Sequence, residues 1–254
     1  MTAPPFHIID REPGPSGLLP TWSDQDGAIT FRDAPKTVRA DVSEVPGAFQ
    51  LLDVLHPDET AQFLAAADRM GFRPESPISL PRSVRHNDNV NWVVSDPIHE
   101  TLWARSAPHI PEHVGRQVAR GLNGRFRFYR YGEGDYFSAH TDGAWPASRV
   151  VDGRAVAQAD PGLFSQYTYL VFLDDDFDGG ETEFYVRKSD PALPARRNDD
   201  LQIVRIRTPA GSVLCFPHGT HPLHCVHSSA PITRGTKTII RTDLLFGLPE
   251  EGAP

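Results

Sequence analysis

From Gly124 to its end the chain is written as short strands. Residues 126–131, 167–173, 212–216 and 236–246 are aromatic or β-branched, and clusters of Gly, Asp and Pro separate them. No helical periodicity of useful length interrupts this half. Several short strands without intervening helices cannot build a parallel α/β sheet; they close instead into an antiparallel sandwich or jelly roll able to shelter a pocket. The 24 prolines and 20 glycines in 254 residues supply the turns that such a fold needs.

The first half reads differently. Residues 1–50 are rich in Pro, Gly and Asp, with apolar fragments at 6–9 and 28–31, and predict an N-terminal extension carrying edge strands. A buried strand is expected over 51–55. Residues 56–71 then spell a helix: Pro57 suits its first turn, Asp58 and Glu59 its positive end and Gly71 its stop, and Phe63, Leu64, Ala67 and Met70 recur at helical spacing. A second helix is expected from Asp96, broken at Pro108 and Pro111, with a short helix toward Ala119. Residues 51–254 are thus expected to form one domain, with helical support over 51–123 and a jelly-roll core over 124–247.

Net charge is −8 and no basic run of five residues occurs, so nucleic acid and anionic membrane are poor partners for this chain. No apolar run approaches the ~18–20 residues of a membrane span. The first residues lack the basic start and apolar centre of a secretory signal. Cys215 and Cys225 lie in apolar surroundings and read as reduced thiols. These features predict a cytoplasmic protein.

Chemistry concentrates in the strand-rich half. His140 and Asp142 follow the aromatic strand at 126–131 and a Gly-Glu-Gly turn, and alternate residues of a strand project to one face. The triplet alone means little, because 11 histidines and 22 aspartates make about one His-x-Asp expected by chance. His86 and Asp88 form a second one, set aside because it lies in a polar stretch with no strand leading into it. A third ligand is available among His218, His221, His224 and His227. His227 is preferred because the strand behind it carries Lys237, with Ile239, Arg241 and Asp243 on the same face. Two inward cations on an apolar sheet need anionic partners. A dicarboxylate co-substrate is one such partner, and an internal pair such as Arg241 with Asp243 or Glu183 is the other. Two imidazoles and one carboxylate are the non-haem ferrous pattern with open positions. Zinc accepts similar ligands but gives no reason for the lysine.

At this point the sequence resembles the prolyl 4-hydroxylase-like branch of the iron(II)/2-oxoglutarate-dependent dioxygenases. The resemblance is carried by Arg-Phe-Tyr-Arg-Tyr-Gly-Glu-Gly-Asp-Tyr-Phe-Ser-Ala-His-Thr-Asp-Gly at 127–143, Leu-Val-Phe-Leu-Asp-Asp-Asp-Phe-Asp-Gly-Gly-Glu-Thr-Glu-Phe at 170–184, and residues 227–243. It implies a mainly β fold with flanking N-terminal helices, a double-stranded β-helix of the jelly-roll or cupin-like kind. It implies His140, Asp142 and His227 as iron ligands, Lys237 and Tyr131 as 2-oxoglutarate contacts, and Thr182 on the bordering strand. Fe(II), 2-oxoglutarate and O2 follow as cofactor and co-substrates, with ascorbate as reductant. Two departures stand out. Phe137 occupies a position where such proteins often carry an aromatic hydroxyl, the tyrosine being Tyr136 instead. The histidine-rich segment 218–227 is also longer than usual, which keeps His224 as the alternative distal ligand.

The implied activity is hydroxylation of a C–H bond in a small molecule such as an amino acid or specialised metabolite. Peptidyl hydroxylation of a protein is the alternative, and a non-catalytic metal-binding or sensing domain is a third reading. Substrate contacts are expected from Arg85 and Asn91, in a polar group with Asn87 and Asn89, and from Trp145 in a candidate lid over 143–161, which also holds Arg149. Arginines facing the metal would favour a carboxylate-bearing substrate.

Overall fold

The strand Lys237–Gly247 organises the molecule, and it is buried at all 11 positions. The structure is a computed structural model that describes residues 5–75, 81–196 and 198–249. Residues 1–4 of the N-terminal segment and 76–80 of the turn-rich stretch lie outside them. Lys237–Gly247 pairs antiparallel with Arg125–Tyr131 on one side and Phe164–Phe172 on the other. The large sheet continues through Asp88–Val93 to Gly17–Asp24 and Phe6–Gly14 at one edge, and through Val213–Pro217 and Phe49–Leu52 to Val38–Asp41 at the other. A second sheet runs in the order Leu201–Ile206, Thr182–Arg187, Val226–Ser229, Tyr136–His140, Arg85–His86. The two sheets face one another as a double-stranded β-helix.

Period-two alternation explains why the large sheet is covered on both sides. Trp92, Phe126, Phe128, Tyr169, Val171, Ile240 and Leu244 join one apolar cluster with the helix α1 (Pro57–Met70) and the helix α2 (Asp96–Ser106). Their alternates Tyr129, Tyr131, Leu170, Phe172 and Ile239 join a second cluster with Phe184, Val186 and Val204 of the smaller sheet. Phe63 of α1 is fully buried, its ring 6.1 Å from Trp92 and 6.5 Å from Phe128. Truncating such a side chain costs about 3–5 kcal/mol. Glu59 anchors the same helix twice: it accepts from the His56 backbone N–H at 2.9 Å and pairs with buried Arg105 at 2.7 Å. The chain leaves α1 at Gly71, whose φ of 83° suits glycine.

The first half holds less helix than its pattern implies. No short helix extends toward Ala119; His113–Val114 and Gln117–Leu122 form a hairpin instead. Gly115 turns it at φ 59°, and its second strand pairs with the end of Lys237–Gly247. Backbone hydrogen bonds to a strand already in place outweigh a weak local preference. Likewise residues 51–123 are not only helical support, because Asp88–Val93 is an interior strand of the large sheet. Residues 28–31 form no strand; Ile29 is buried and Phe31 leans on Phe63. Among the described residues no helix is long and apolar enough to cross a membrane. Cys215 and Cys225 are free thiols, the first buried.

Candidate metal centre

Cross-strand register brings two histidines face to face. Tyr136–His140 pairs antiparallel with Val226–Ser229 so that His140 stands opposite His227, and their ring centroids are 4.2 Å apart. Asp142 does not share a strand face with His140, because the strand ends at His140. A loop carries it to the site instead. Its carbonyl accepts from the Gly219 N–H at 3.0 Å, and its Oδ2 accepts from the Thr168 hydroxyl at 2.6 Å. The donor atoms of His140, Asp142 and His227 lie within 4.8 Å of one another, the one such cluster among the described residues. His224 lies apart, against the His221 carbonyl.

The ring orientations are set from behind. His140 Nδ1–H donates to the Ser138 carbonyl at 2.8 Å, which leaves Nε2 as its free lone pair, 3.6 Å from Asp142 Oδ1. His227 Nδ1 faces the Cys225 carbonyl at 3.5 Å, and its Nε2 lies 3.7 Å from Asp142 Oδ2. Phe137 stacks on His140 at 3.6 Å and Phe216 packs beside His227 at 4.5 Å. Burial, reinforced by His140, pushes His227 down to about 3, so its ring is neutral. Burial opposes ionisation of Asp142 too, but Arg241, ahead of the two histidines, holds it well below the usual carboxylate range. His227 and Asp142 therefore stand in the protonation states that a divalent ion requires.

Arg241 and Lys237 have different fates on the same strand. Arg241 Nη2 lies 3.3 Å from Asp142 and 3.2 Å from Asp243, whose other oxygen is 3.2 Å from Arg127. The charge of the inward arginine is matched by this internal pairing with Asp142 and Asp243, although its buried Nε finds no hydrogen-bond partner. Lys237, 1% exposed, donates to the Gly180 carbonyl at 2.6 Å and the Ser229 hydroxyl at 3.0 Å. Among the described residues no carboxylate pairs with it. Burial, with Arg207 next in weight, pushes it down to about 7.

The cavity between this lysine and the triad, open to solvent at its mouth, spans about 370 Å³ including that opening. Tyr131, Thr182, Ser229, Leu170 and Ile239 line it along with Lys237, His140, Asp142 and His227. Burial pushes the Tyr131 phenol up, so it is a neutral hydroxyl. The residues suit both groups in question: two imidazole nitrogens and a carboxylate for a ferrous ion, and a buried ammonium with hydroxyls for an organic dianion.

The remaining candidates are distributed around this cavity and do not line it. Arg85 stacks over Tyr129 at 5.3 Å and Phe137 at 5.6 Å, two wall residues. Asn91 is buried opposite Arg127, whose guanidinium sits 4.3 Å over the Trp145 ring. Arg149 of the candidate lid pairs with Asp96 at 2.5 Å. The second His-x-Asp, contrary to the reason for setting it aside, does lie on strands, but His86 pairs with Asp135 and not with Asp88. Tyr129, Ser229 and Thr168 escaped sequence reading, and His218 was considered only as a candidate metal ligand. Strand alternation pointed to the first two, since Tyr129 precedes Tyr131 by two and Ser229 follows His227 by two. No local pattern marks Thr168 or its contact with His218.

A family model described as "2OG-Fe(II) oxygenase superfamily" matches residues 126–242. Among solved structures, the chain is similar to a prolyl hydroxylase from Trichoplax adhaerens in complex with a hypoxia inducible factor peptide fragment. That likeness has a TM-score of 0.52 at 15% identity, over 78% of this chain and 83% of that one. It is similar to an oxidoreductase of the 2OG-Fe(II) oxygenase family from Burkholderia pseudomallei (TM-score 0.51, 13% identity, 79% and 85%). A prolyl-4-hydroxylase from Pseudomonas putida gives 0.50 at 12% identity, over 78% and 92%. At these identities the likeness is one of fold. No curated protein sequence matches the chain.

Proposed function

We propose that the chain, whose residues 126–242 match a family model of the 2OG-Fe(II) oxygenase superfamily, is such an oxygenase and hydroxylates a C–H bond of a small polar molecule, an amino acid or specialised metabolite. His140, Asp142 and His227 would hold the iron, and Lys237, Tyr131 and Thr182 the 2-oxoglutarate. When bound, these groups supply the oxidation: 2-oxoglutarate and O2 become succinate and CO2, and one oxygen atom enters the substrate C–H bond. Ascorbate is the expected reductant.

The protein's own part is to bind, orient and exclude water. His140 and His227 present Nε2 lone pairs because backbone carbonyls face their Nδ1 atoms. Lys237 sits at the far end of the cavity, where its ammonium can meet a distal carboxylate. Leu170 and Ile239 line the space between with apolar surface that keeps water from the bound co-substrate.

The observation that carries the small-molecule reading is the sheet face that Tyr129, a wall residue of the cavity, shares with Asn89, Asn91 and Arg127. Asn89, Asn91 and Arg127 are buried there, at 5%, 9% and 8% exposure, with Trp145 stacked on Arg127. Buried polar side chains next to the cavity suit a small polar substrate better than a peptide, which needs an open groove. Peptidyl hydroxylation is the competing reading, motivated by the fold shared with prolyl hydroxylases. The test is iron-dependent succinate formation with a panel of free amino acids and metabolites against proline-containing peptides. Stimulation by peptides alone would reverse the choice. Absence of succinate under every condition, with or without His140→Ala, would sink the oxygenase reading and leave a metal-binding domain.

A further inference from the structure

Asp142 stands two residues past the end of its strand, so no backbone ladder orients its carboxylate. A buried file of side chains does so. Thr168 Oγ1 donates to Asp142 Oδ2 at 2.6 Å, and a hydroxyl has one hydrogen to give. His218 Nδ1, 2.6 Å from the same hydroxyl, must then donate to it. That assigns the Nδ1–H tautomer and leaves His218 Nε2 as an acceptor. Ser165 Oγ lies 2.7 Å from Nε2 and itself accepts from the Trp145 backbone N–H at 2.8 Å, so its hydrogen is free for the imidazole. Each donor in the file points toward Asp142. Ser165, Thr168 and His218 are at most 1% exposed, which keeps water from substituting for any member. Asp243 lies 3.8 Å from His218 Nδ1, beyond hydrogen-bond reach, and is held by Arg127 and Arg241.

We propose that Thr168 and His218 are positioning residues for the metal. His218 fixes the Thr168 hydroxyl, the hydroxyl fixes the Asp142 carboxylate, and Ser165 ties the file to the backbone of the loop at Trp145. Partners behind a metal ligand typically change metal affinity about 10–100-fold when removed. The inference rests on the reading of His140, Asp142 and His227 as metal ligands.

The test is anaerobic titration of the full-length apoprotein with Co(II) alone, followed by calorimetry and by the visible absorption of the bound ion. Thr168→Val should weaken Co(II) roughly tenfold or more and alter the spectrum, while Thr168→Ser, which keeps the hydroxyl, should stay within about threefold of the parent. His218→Asn, which keeps a donor at the Nδ1 position, should bind more tightly than His218→Leu, a comparison that leaves Thr168 untouched should Thr168→Val not fold. A purely structural role would lower Tm without separating the conservative from the non-conservative member of each pair. Equal Co(II) affinity and spectra across the folded variants would overturn the proposal while leaving the metal site standing. A parent protein that binds no Co(II), or a His140→Ala variant that binds it equally well, would remove the metal-site reading and the proposal with it.

Discussion

Replacing Lys237 by methionine should move two quantities in opposite directions. The ammonium is 1% exposed and held by two neutral oxygens, and burial brings it from 10.5 to about 7. At 1.36 kcal/mol per unit, keeping it charged costs the apoprotein roughly 5 kcal/mol. Methionine removes that cost, while the loss of hydrogen bonds to Gly180 and Ser229 returns about 1–3 kcal/mol. The variant apoprotein should therefore be about 2–4 kcal/mol more stable than the parent, roughly 4–16 °C in Tm at about 2–4 °C per kcal/mol. Binding of 2-oxoglutarate should collapse, because removing one partner of a buried, hydrogen-bonded charge pair costs about 2–5 kcal/mol, or roughly 30- to several thousand-fold in Kd. Thermal unfolding with Ni(II), with and without 2-oxoglutarate, reads both effects. At a hundredfold excess over the parent Kd the ligand adds about 2.7 kcal/mol to the parent, roughly 5–11 °C, and should add at most about 0.9 kcal/mol to the variant. The stabilisation by Ni(II) alone should persist in both. A variant that keeps the 2-oxoglutarate shift, or whose apo form is far less stable than the parent, would refute the assignment of Lys237 as an anion site kept open for the co-substrate.

Three further outcomes follow from the same geometry. His227→Ala should abolish Ni(II) stabilisation and iron-dependent succinate formation, whereas His224→Ala should leave both within about twofold, since His224 faces the His221 carbonyl outside the cluster. Because His227 is pushed from 6.5 to about 3, the unfolded chain binds a proton between those values that the folded apoprotein refuses. Apo stability should therefore fall as pH drops below about 6.5, and His227→Asn should flatten that slope in denaturant titrations at stepped pH. Glu59→Ala strands the buried Arg105 guanidinium and uncaps α1; it should cost about 3–5 kcal/mol and lower Tm by roughly 6–20 °C, read by calorimetry.

Helix α1 was legible because its start, stop and apolar stripe are all local, within Pro57–Met70. So were the strands that flank the site, and so was the pairing of His140 with His227 through motif order. The reason for joining Asp142 to His140 was not: strand alternation does not reach a residue beyond the strand end. The pattern toward Ala119 misled because Gln117–Leu122 takes its conformation from the strand it meets. The second His-x-Asp was set aside rightly but on the wrong ground, since its histidine is occupied by Asp135 across a sheet.

What the sequence determined alone is the inventory: two imidazoles, a carboxylate and a lysine, spaced so that strands of a β-rich domain carry them. Periodicity and turn chemistry act over a few residues, and the order of motifs along the chain supplies the rest. Only the tertiary structure decided which cation is spare. Lys237 and Arg241 are equivalent in sequence, four apart on one face of one strand. Arg241 finds Asp142 and Asp243 because neighbouring strands and a loop deliver them, while Lys237 finds only neutral oxygens. That difference arises from partners up to 99 residues away in the chain, which no local pattern can report, and it is what leaves a buried lysine without a carboxylate partner at the cavity wall.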